Sequence, residues 1–458
     1  MSRPAVARRS TVSGFCGAVL AAGALAVVPS GPVLQAVVSY NGALAPAAGV
    51  RVVTTLPALR VAVVRGDAAA LRRLAATPGV RGLAPDDAVL LSGHDDAGDD
   101  DAVLASQGLG GSAGTANAGA GVRVAVVDTG VSDTPALNRA SGRLRDAADT
   151  STGEVRTGGT YTDGYGHGTF MAGVVAGGVV RGTNGRAVGV APGATVLVVR
   201  VAKKDGTTSL SRVLGGLDWV ASHTDQVDVV NLSLSHDRPS DSYGSDPLTD
   251  AVEQVRDAGL TIVVSAGNKK NTVSDPGFDP RVLTVGAFDV ERGKVAPFSG
   301  SDTVAGVHKP DVVASGVHVL GVLPSGSVLA TARSTKHLGE GLYRGSGTSQ
   351  ATAITTGLAA LLLAAHPDAT PAQVKASLRC AASDVRGHRD GEGLVHATTT
   401  LCAGADGAAL DGSGDATGET HFDASAWGAS AWGASAWAAS AWGASAWGAS
   451  AWATKEQE

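Results

Sequence analysis

The chain has 458 residues, enough for two or three domains with a large buried core, and its formal charge of −6 is spread without a basic block, which argues against nucleic acid as a partner. Aromatic residues make up only 4%, and six of the seven tryptophans fall within residues 427–452, so the core must be built from Val, Ala, Leu and Ile. No Cys-x-x-Cys or His-Glu-x-x-His spacing occurs, so no zinc site is indicated.

Residues 1–36 begin with Arg3, Arg8 and Arg9 and continue into an apolar run at 15–28. That run is short for a bilayer span but has the length of a signal-peptide core. Small-residue cleavage sites extend from Ala24-Leu25-Ala26 up to Ala36. Export with cleavage is therefore expected, an uncleaved anchor being the alternative. Residues 37–92 suggest strands at 50–55 and 59–64, a helix at 67–74 capped by Asp67, and a final strand at 80–91. Such a small α+β unit is marginal alone and is expected to fold against something larger. Residues 93–117 hold Asp95, Asp96, Asp99, Asp100 and Asp101 and then a Gly/Ala/Ser stretch, a solvated linker. Within it, Gly108-Leu109-Gly110-Gly111-Ser112-Ala113 spells a dinucleotide-binding fingerprint. A functional one follows a strand and opens a helix, whereas this one precedes the first strong strand, and it is rejected.

From 118 to 402 the pattern changes to continuous apolar runs, at 122–127, 195–201, 227–234, 260–264 and 282–285, separated by helical segments. Such runs are typical of parallel strands buried on both faces, so the fold class is α/β. Cys380 and Cys402 lie close together after the last long helix. In an oxidising compartment they are expected to pair, two buried free thiols being the alternative. Residues 403–458 are low-complexity: Trp427, Trp432, Trp437, Trp442, Trp447 and Trp452 recur every five residues. Five steps along a helix rotate about 140° beyond one turn, and along a strand the indoles would alternate sides, so neither element gathers them into a core. A disordered tail is expected, able to contact an envelope surface or partner through its indoles.

Four short motifs carry chemistry. Val126-Val127-Asp128-Thr129-Gly130 is an apolar strand ending in a carboxylate, at the sheet edge where α/β proteins place reactive groups. Gly166-His167-Gly168-Thr169 puts a histidine between glycines at the start of an apolar helix. Ala266-Gly267-Asn268 follows another apolar strand, and the asparagine amide could donate to an oxyanion. Gly347-Thr348-Ser349-Gln350-Ala351 opens an Ala/Leu-rich helix, which places Ser349 among N–H groups lacking intrahelical partners. Taken singly, these read as a turn cap, a surface histidine, a turn and an N-cap.

Together, in the order Asp128, His167, Asn268, Ser349, they resemble the subtilisin-like serine proteases, the subtilases, with Asn231-Leu-Ser-Leu-Ser235 as a fifth match. The order Asp…His…Ser excludes an α/β-hydrolase, where the serine comes first. The resemblance covers roughly 120–400 and implies a three-layer domain with a mostly parallel central sheet. It implies a catalytic triad of Asp128, His167 and Ser349, an oxyanion hole containing Asn268, and substrate contacts at Ser233, Leu234, Ser235, Ala266 and Gly267. The 37–92 unit resembles the family's inhibitory propeptide, which implies a zymogen cut near 91–101 and a first helix shortened by Pro46. The implied product is a secreted, monomeric endopeptidase acting on polypeptides and needing no cofactor. Many members bind calcium, but residues 181–188 offer no convincing ligand set. Gln350 and Ala353 stand where Met and Pro are usual, and Ser235 and His236 replace glycines beside the substrate strand, which narrows the expected cleft. Lys269 and Asp275, near the specificity pocket, have opposite charges and leave the preferred side chain open.

Overall fold

Alternation along Arg123–Asp128 sorts the two faces of the central sheet: Val124 and Val126 belong to one apolar cluster, Ala125 and Val127 to the other. Both faces are dry because helices cover both. In the computed structural model, which describes residues 32–91 and 118–402 apart from 46, 184, 237–243, 305, 333–337, 339–340 and 386–388, the sheet has eight strands. Seven run parallel, in the spatial order Val312–Ser315, Leu283–Asp289, Thr261–Ser265, Val229–Leu232, Arg123–Asp128, Thr195–Arg200, Leu144–Asp149. Lys294–Val295 joins antiparallel at the edge. His167–Ala176, Thr348–Ala365 and Pro371–Cys380 pack on one face; Leu210–Ala221 and Pro247–Asp257 pack on the other. This is the expected three-layer α/β domain.

The long helix Thr348–Ala365 is buried on nearly every side, with 15 of its 18 residues buried. It lies against five parallel strands, and its composition therefore reflects burial rather than a membrane. It ends at His366 before Pro367, which cannot continue the ladder. Beyond the next helix, Cys380 and Cys402 form a disulfide closing a 22-residue separation.

The N-terminal domain is a four-stranded antiparallel sheet, in the order Arg51–Leu56, Val61–Gly66, Leu34–Tyr40, Val80–Pro85, with the helix Ala68–Ala75 on one face. Asp67 caps that helix, its carboxylate accepting from Ala70 N at 2.7 Å. Three expectations need correction. The strand Leu34–Tyr40 starts inside the segment assigned to the signal, because Ala36 and Val38 fill the domain's own core. No helix occurs among the described residues at 41–50; the chain there turns. The single strand expected at 80–91 is two, Val80–Pro85 and Ala88–Leu91, because Pro85-Asp86-Asp87 breaks the ladder and sends the second piece elsewhere. The signal core, the linker at 93–117 and the tryptophan-rich tail lie outside the described residues.

The opposite face of this small sheet rests on the helices Leu210–Ala221 and Pro247–Asp257, sharing an apolar cluster with them through Val37, Leu56, Leu59, Val61 and Ala84. Polar contacts fix the seating. Asp218 Oδ1 accepts from Ala58 N (2.9 Å) and Leu59 N (3.1 Å), and Asp250 accepts from Ser39 Oγ and pairs with Arg81.

Candidate active site

Asp128 ends the central strand with its carboxylate fully buried, a state tolerated only when the charge is hydrogen-bonded. Its Oδ1 accepts from Thr129 N at 2.7 Å, and His167 Nδ1 lies 2.8 and 2.9 Å from the two oxygens. A carboxylate accepts only, so Nδ1 carries the hydrogen and Nε2 presents its lone pair. Nε2 is buried and has no hydrogen-bond partner, a base aimed into the cleft. The glycine after the histidine is a packing requirement: a Cβ on Gly168 would lie 2.2 Å from the Gly130 carbonyl oxygen and 3.1 Å from Asp128 Cβ.

One residue that the motifs do not include holds this corner together. Asp163 is buried and accepts from Thr129 Oγ1, Tyr165 N, Gly166 N, Thr169 N and Thr169 Oγ1, at 2.7–3.0 Å. It joins the residue after Asp128 to the turn before His167. Burial pushes its pKa above the ordinary carboxylate range, opposed by those donors. The available signal was the Asp-Gly turn dipeptide four residues before the histidine.

Ser349 is the second residue of the helix Thr348–Ala365, and its N–H is one of the donors a helix start leaves unpaired. Its Oγ donates to the Ser233 carbonyl at 3.2 Å, and Ser233 Oγ donates back to the Ser349 carbonyl at 3.3 Å. The helix entrance at Ser349 and the residue that precedes the strand Leu234–His236 are thus tied to one another. No Ser349–His167 hydrogen bond is formed in this state: the hydroxyl is held by Ser233 and His167 Nε2 has no partner. Asn268 Oδ1 accepts from Thr348 N (3.0 Å) and Thr348 Oγ1 (2.9 Å), which turns its NH₂ to the other side of the amide. Gly267 takes φ +87°, where a Cβ would lie 2.3 Å from Ser274 Oγ, and its carbonyl accepts from Gly300 N at 2.8 Å. Ala266 is buried beside it, its carbonyl accepting from Ser274 N at 3.1 Å.

The strand Leu234–His236 is occupied. Ala88–Leu91 lies between it and Thr208–Ser209 as the middle of a three-stranded antiparallel sheet. Leu91 pairs with Leu234, Leu90 with Ser235 and Val89 with His236. Val89 is buried in the apolar cluster that includes Leu210 and Leu234. The chain therefore runs toward Ser233, whose carbonyl holds the Ser349 hydroxyl. Asp86 docks beside the helix Leu210–Ala221, accepting from Ser211 N and Ser211 Oγ, both at 2.7 Å. His236, noted in the sequence only as a replaced glycine, turns its imidazole into the protein between Asp87 and Asp275. Asp275, expected near the specificity pocket, lies 3.4 Å from His236 Nδ1.

An α/β scaffold with a buried Asp–His pair and a serine at a helix entrance, beside a strand that holds an extended peptide, defines the subtilisin-like class. Residues 119–408 match the subtilase family (Peptidase S8), and the chain belongs to that family. It is 35% identical over 277 residues to the serine protease AprX of Bacillus subtilis, covering 57% of this chain and 61% of that one. It is 33% identical over 281 residues to subtilisin BL of Lederbergia lenta, covering 61% and 90%. The fold resembles fervidolysin of Fervidobacterium pennivorans, a keratinolytic enzyme related to subtilisin, with a TM-score of 0.63 and 25% identity over 81% of this chain and 62% of that one. The match thus spans about 61% of the length of AprX.

Proposed function

We propose that the protein is a serine endopeptidase, made as an exported zymogen whose N-terminal domain occupies its own substrate cleft. The observation that carries this reading is the strand Ala88–Leu91, paired as a substrate would be and directed at Ser349. In the reaction, Ser349 Oγ attacks the scissile carbonyl while His167 Nε2 takes its proton and later returns it to the leaving amine. Asp128 holds the imidazole in the needed tautomer and stabilises the imidazolium. The Asn268 NH₂ and the Ser349 N–H receive the oxyanion. Ser233, Leu234 and Ser235 supply main-chain pairing, and Ala266 and Gly267 line the approach to the scissile bond. These side chains suffice for peptide hydrolysis, and we assign it no cofactor. The substrates are polypeptides, the active species is a monomer, and the tryptophan-rich tail serves contact with an envelope surface or partner.

A fluorophosphonate probe tests the reading. Protein freed of its N-terminal domain is expected to be labelled, and Ser349→Ala is not. Absence of labelling on folded, processed wild type removes the enzyme and leaves a non-catalytic scaffold.

A further inference from the structure

The far end of the cleft contains a group that neither triad nor oxyanion hole uses. His236 is fully enclosed, with 1% of its side chain exposed, at the end of the strand that pairs with Ala88–Leu91. Each nitrogen of the imidazole faces an aspartate side chain. Nε2 lies 2.5 Å from Asp87 Oδ1 and Nδ1 lies 3.4 Å from Asp275 Oδ2. Asp275 is itself held from several sides: its Oδ1 accepts from Thr249 Oγ1 at 2.9 Å, and its carbonyl accepts from His236 N at 2.9 Å. Asp275 stands behind the imidazole at ion-pair distance without a hydrogen bond, and the ring presents Nε2 to whatever lies on the strand. Burial opposes its charge, but with Asp87 in place the neighbouring Asp275 and Asp87 raise its pKa to about 10, while burial and Asp246 raise that of Asp275 to about 8, so at neutral pH Asp87 is the carboxylate that faces the imidazolium.

Asp87 belongs to the occupying segment, and its position follows the strand register. Leu90 faces Ser235, and Asp87 is three residues before Leu90. The backbone is still docked at Asp87, whose carbonyl accepts from Leu210 N at 3.1 Å. Any peptide lying in the cleft in this register must pass the same imidazolium.

We propose that His236 is a specificity-determining residue, a buried cationic subsite that selects substrates carrying a carboxylate three residues before the one that faces Ser235. The inference rests on the protease reading above and adds a substrate class to it. The N-terminal domain satisfies the subsite with Asp87; after processing, a substrate Asp or Glu takes its place. Because Asp87 is 47% exposed, solvent screens the pair, and the selectivity is about tenfold rather than thousands.

The test uses processed enzyme obtained from the full chain, with active sites counted by fluorophosphonate. Fourteen-residue peptides spanning positions 84–97 carry Asp, Asn or Lys at position 87. Wild type is expected to cleave the Asp peptide with kcat/KM about tenfold above the Asn peptide, and further above the Lys peptide. In His236→Asn the Asp-to-Asn ratio falls to within about twofold of unity. Because each ratio is taken within one enzyme, a general loss of activity in the variant does not affect it. If that variant does not fold, the wild-type ratio still decides. A wild-type ratio near one, with peptides cleaved, overturns the subsite and leaves the protease reading intact; no cleavage and no labelling overturns both. His236, Asp246 and Asp275 also bring ligand atoms within 4.8 Å of one another, close enough for a metal ion. A preference that survives EDTA supports the imidazolium; one abolished by EDTA overturns it in favour of a metal.

Discussion

Asp128, His167 and Ser349 are far apart in sequence, and each is held by neighbours that do no chemistry. Asp163 accepts five hydrogen bonds around the His167 turn, so Asp163→Ala leaves five donors without their acceptor in a buried site. We expect kcat to fall about tenfold or more, with Tm lowered by several degrees and KM little changed; steady-state kinetics and thermal melts check both. Removal of the nucleophile in Ser349→Ala should cost about 10⁴-fold or more. Asn268→Ala should cost roughly 10²–10³ in kcat, the loss that follows removal of the oxyanion-hole asparagine in a subtilisin. An Asn268→Ala enzyme with wild-type kcat would move the oxyanion hole elsewhere.

At the level of elements, the helix Pro247–Asp257 does two jobs, packing on the sheet and seating the N-terminal domain. Asp246 caps it, accepting from Leu248 N at 2.8 Å. Glu253 on the same helix is mostly buried, and burial first, then the negative charges of Asp279 and Asp250, raise its pKa from 4.5 to about 7, opposed by Arg281. A carboxyl with a raised folded pKa contributes stability that is full below about pH 4.5 and is lost as pH rises through about 7. Glu253→Gln removes that dependence. The variant should melt close to wild type at about pH 4.5 and a few degrees above it at about pH 8, as read by differential scanning calorimetry. An unchanged difference across that range would place the Glu253 charge in solvent.

Across the whole molecule, the N-terminal domain and the subtilase domain share one apolar cluster, and the strand Ala88–Leu91 that follows the N-terminal sheet pairs with Leu234–His236. Self-processing should therefore yield a mature N-terminus within residues 92–101, found by mass spectrometry, while Ser349→Ala stays full length. Wild type cut by an added protease but never by itself would make activation depend on a partner. The disulfide Cys380–Cys402 closes a loop of 22 residues, and Cys380→Ser should cost about 3 kcal/mol in denaturant unfolding of the processed enzyme.

The amino-acid sequence determined on its own the α/β class and the parallel strands, through continuous apolar runs, and it singled out Asp128, His167, Asn268 and Ser349 only through the order of four motifs that singly read as caps and turns. It also placed the helix at 67–74 and its cap within a residue. The strand at 34–40 escaped it because Leu34-Gln-Ala-Val-Val-Ser-Tyr40 directly follows an apolar leader, and composition does not divide one apolar stretch from the next. The break at Pro85-Asp86-Asp87 was legible as a proline but not as a change of partner. Only the tertiary structure decided that Ala88–Leu91 leaves its own sheet to lie against Leu234–His236, because strand pairing is a long-range choice made by register and burial. The same holds for Asp163 and His236. A buried carboxylate with five donors and an imidazole between two aspartates are defined by what surrounds them, and those surroundings come from segments scattered across the chain.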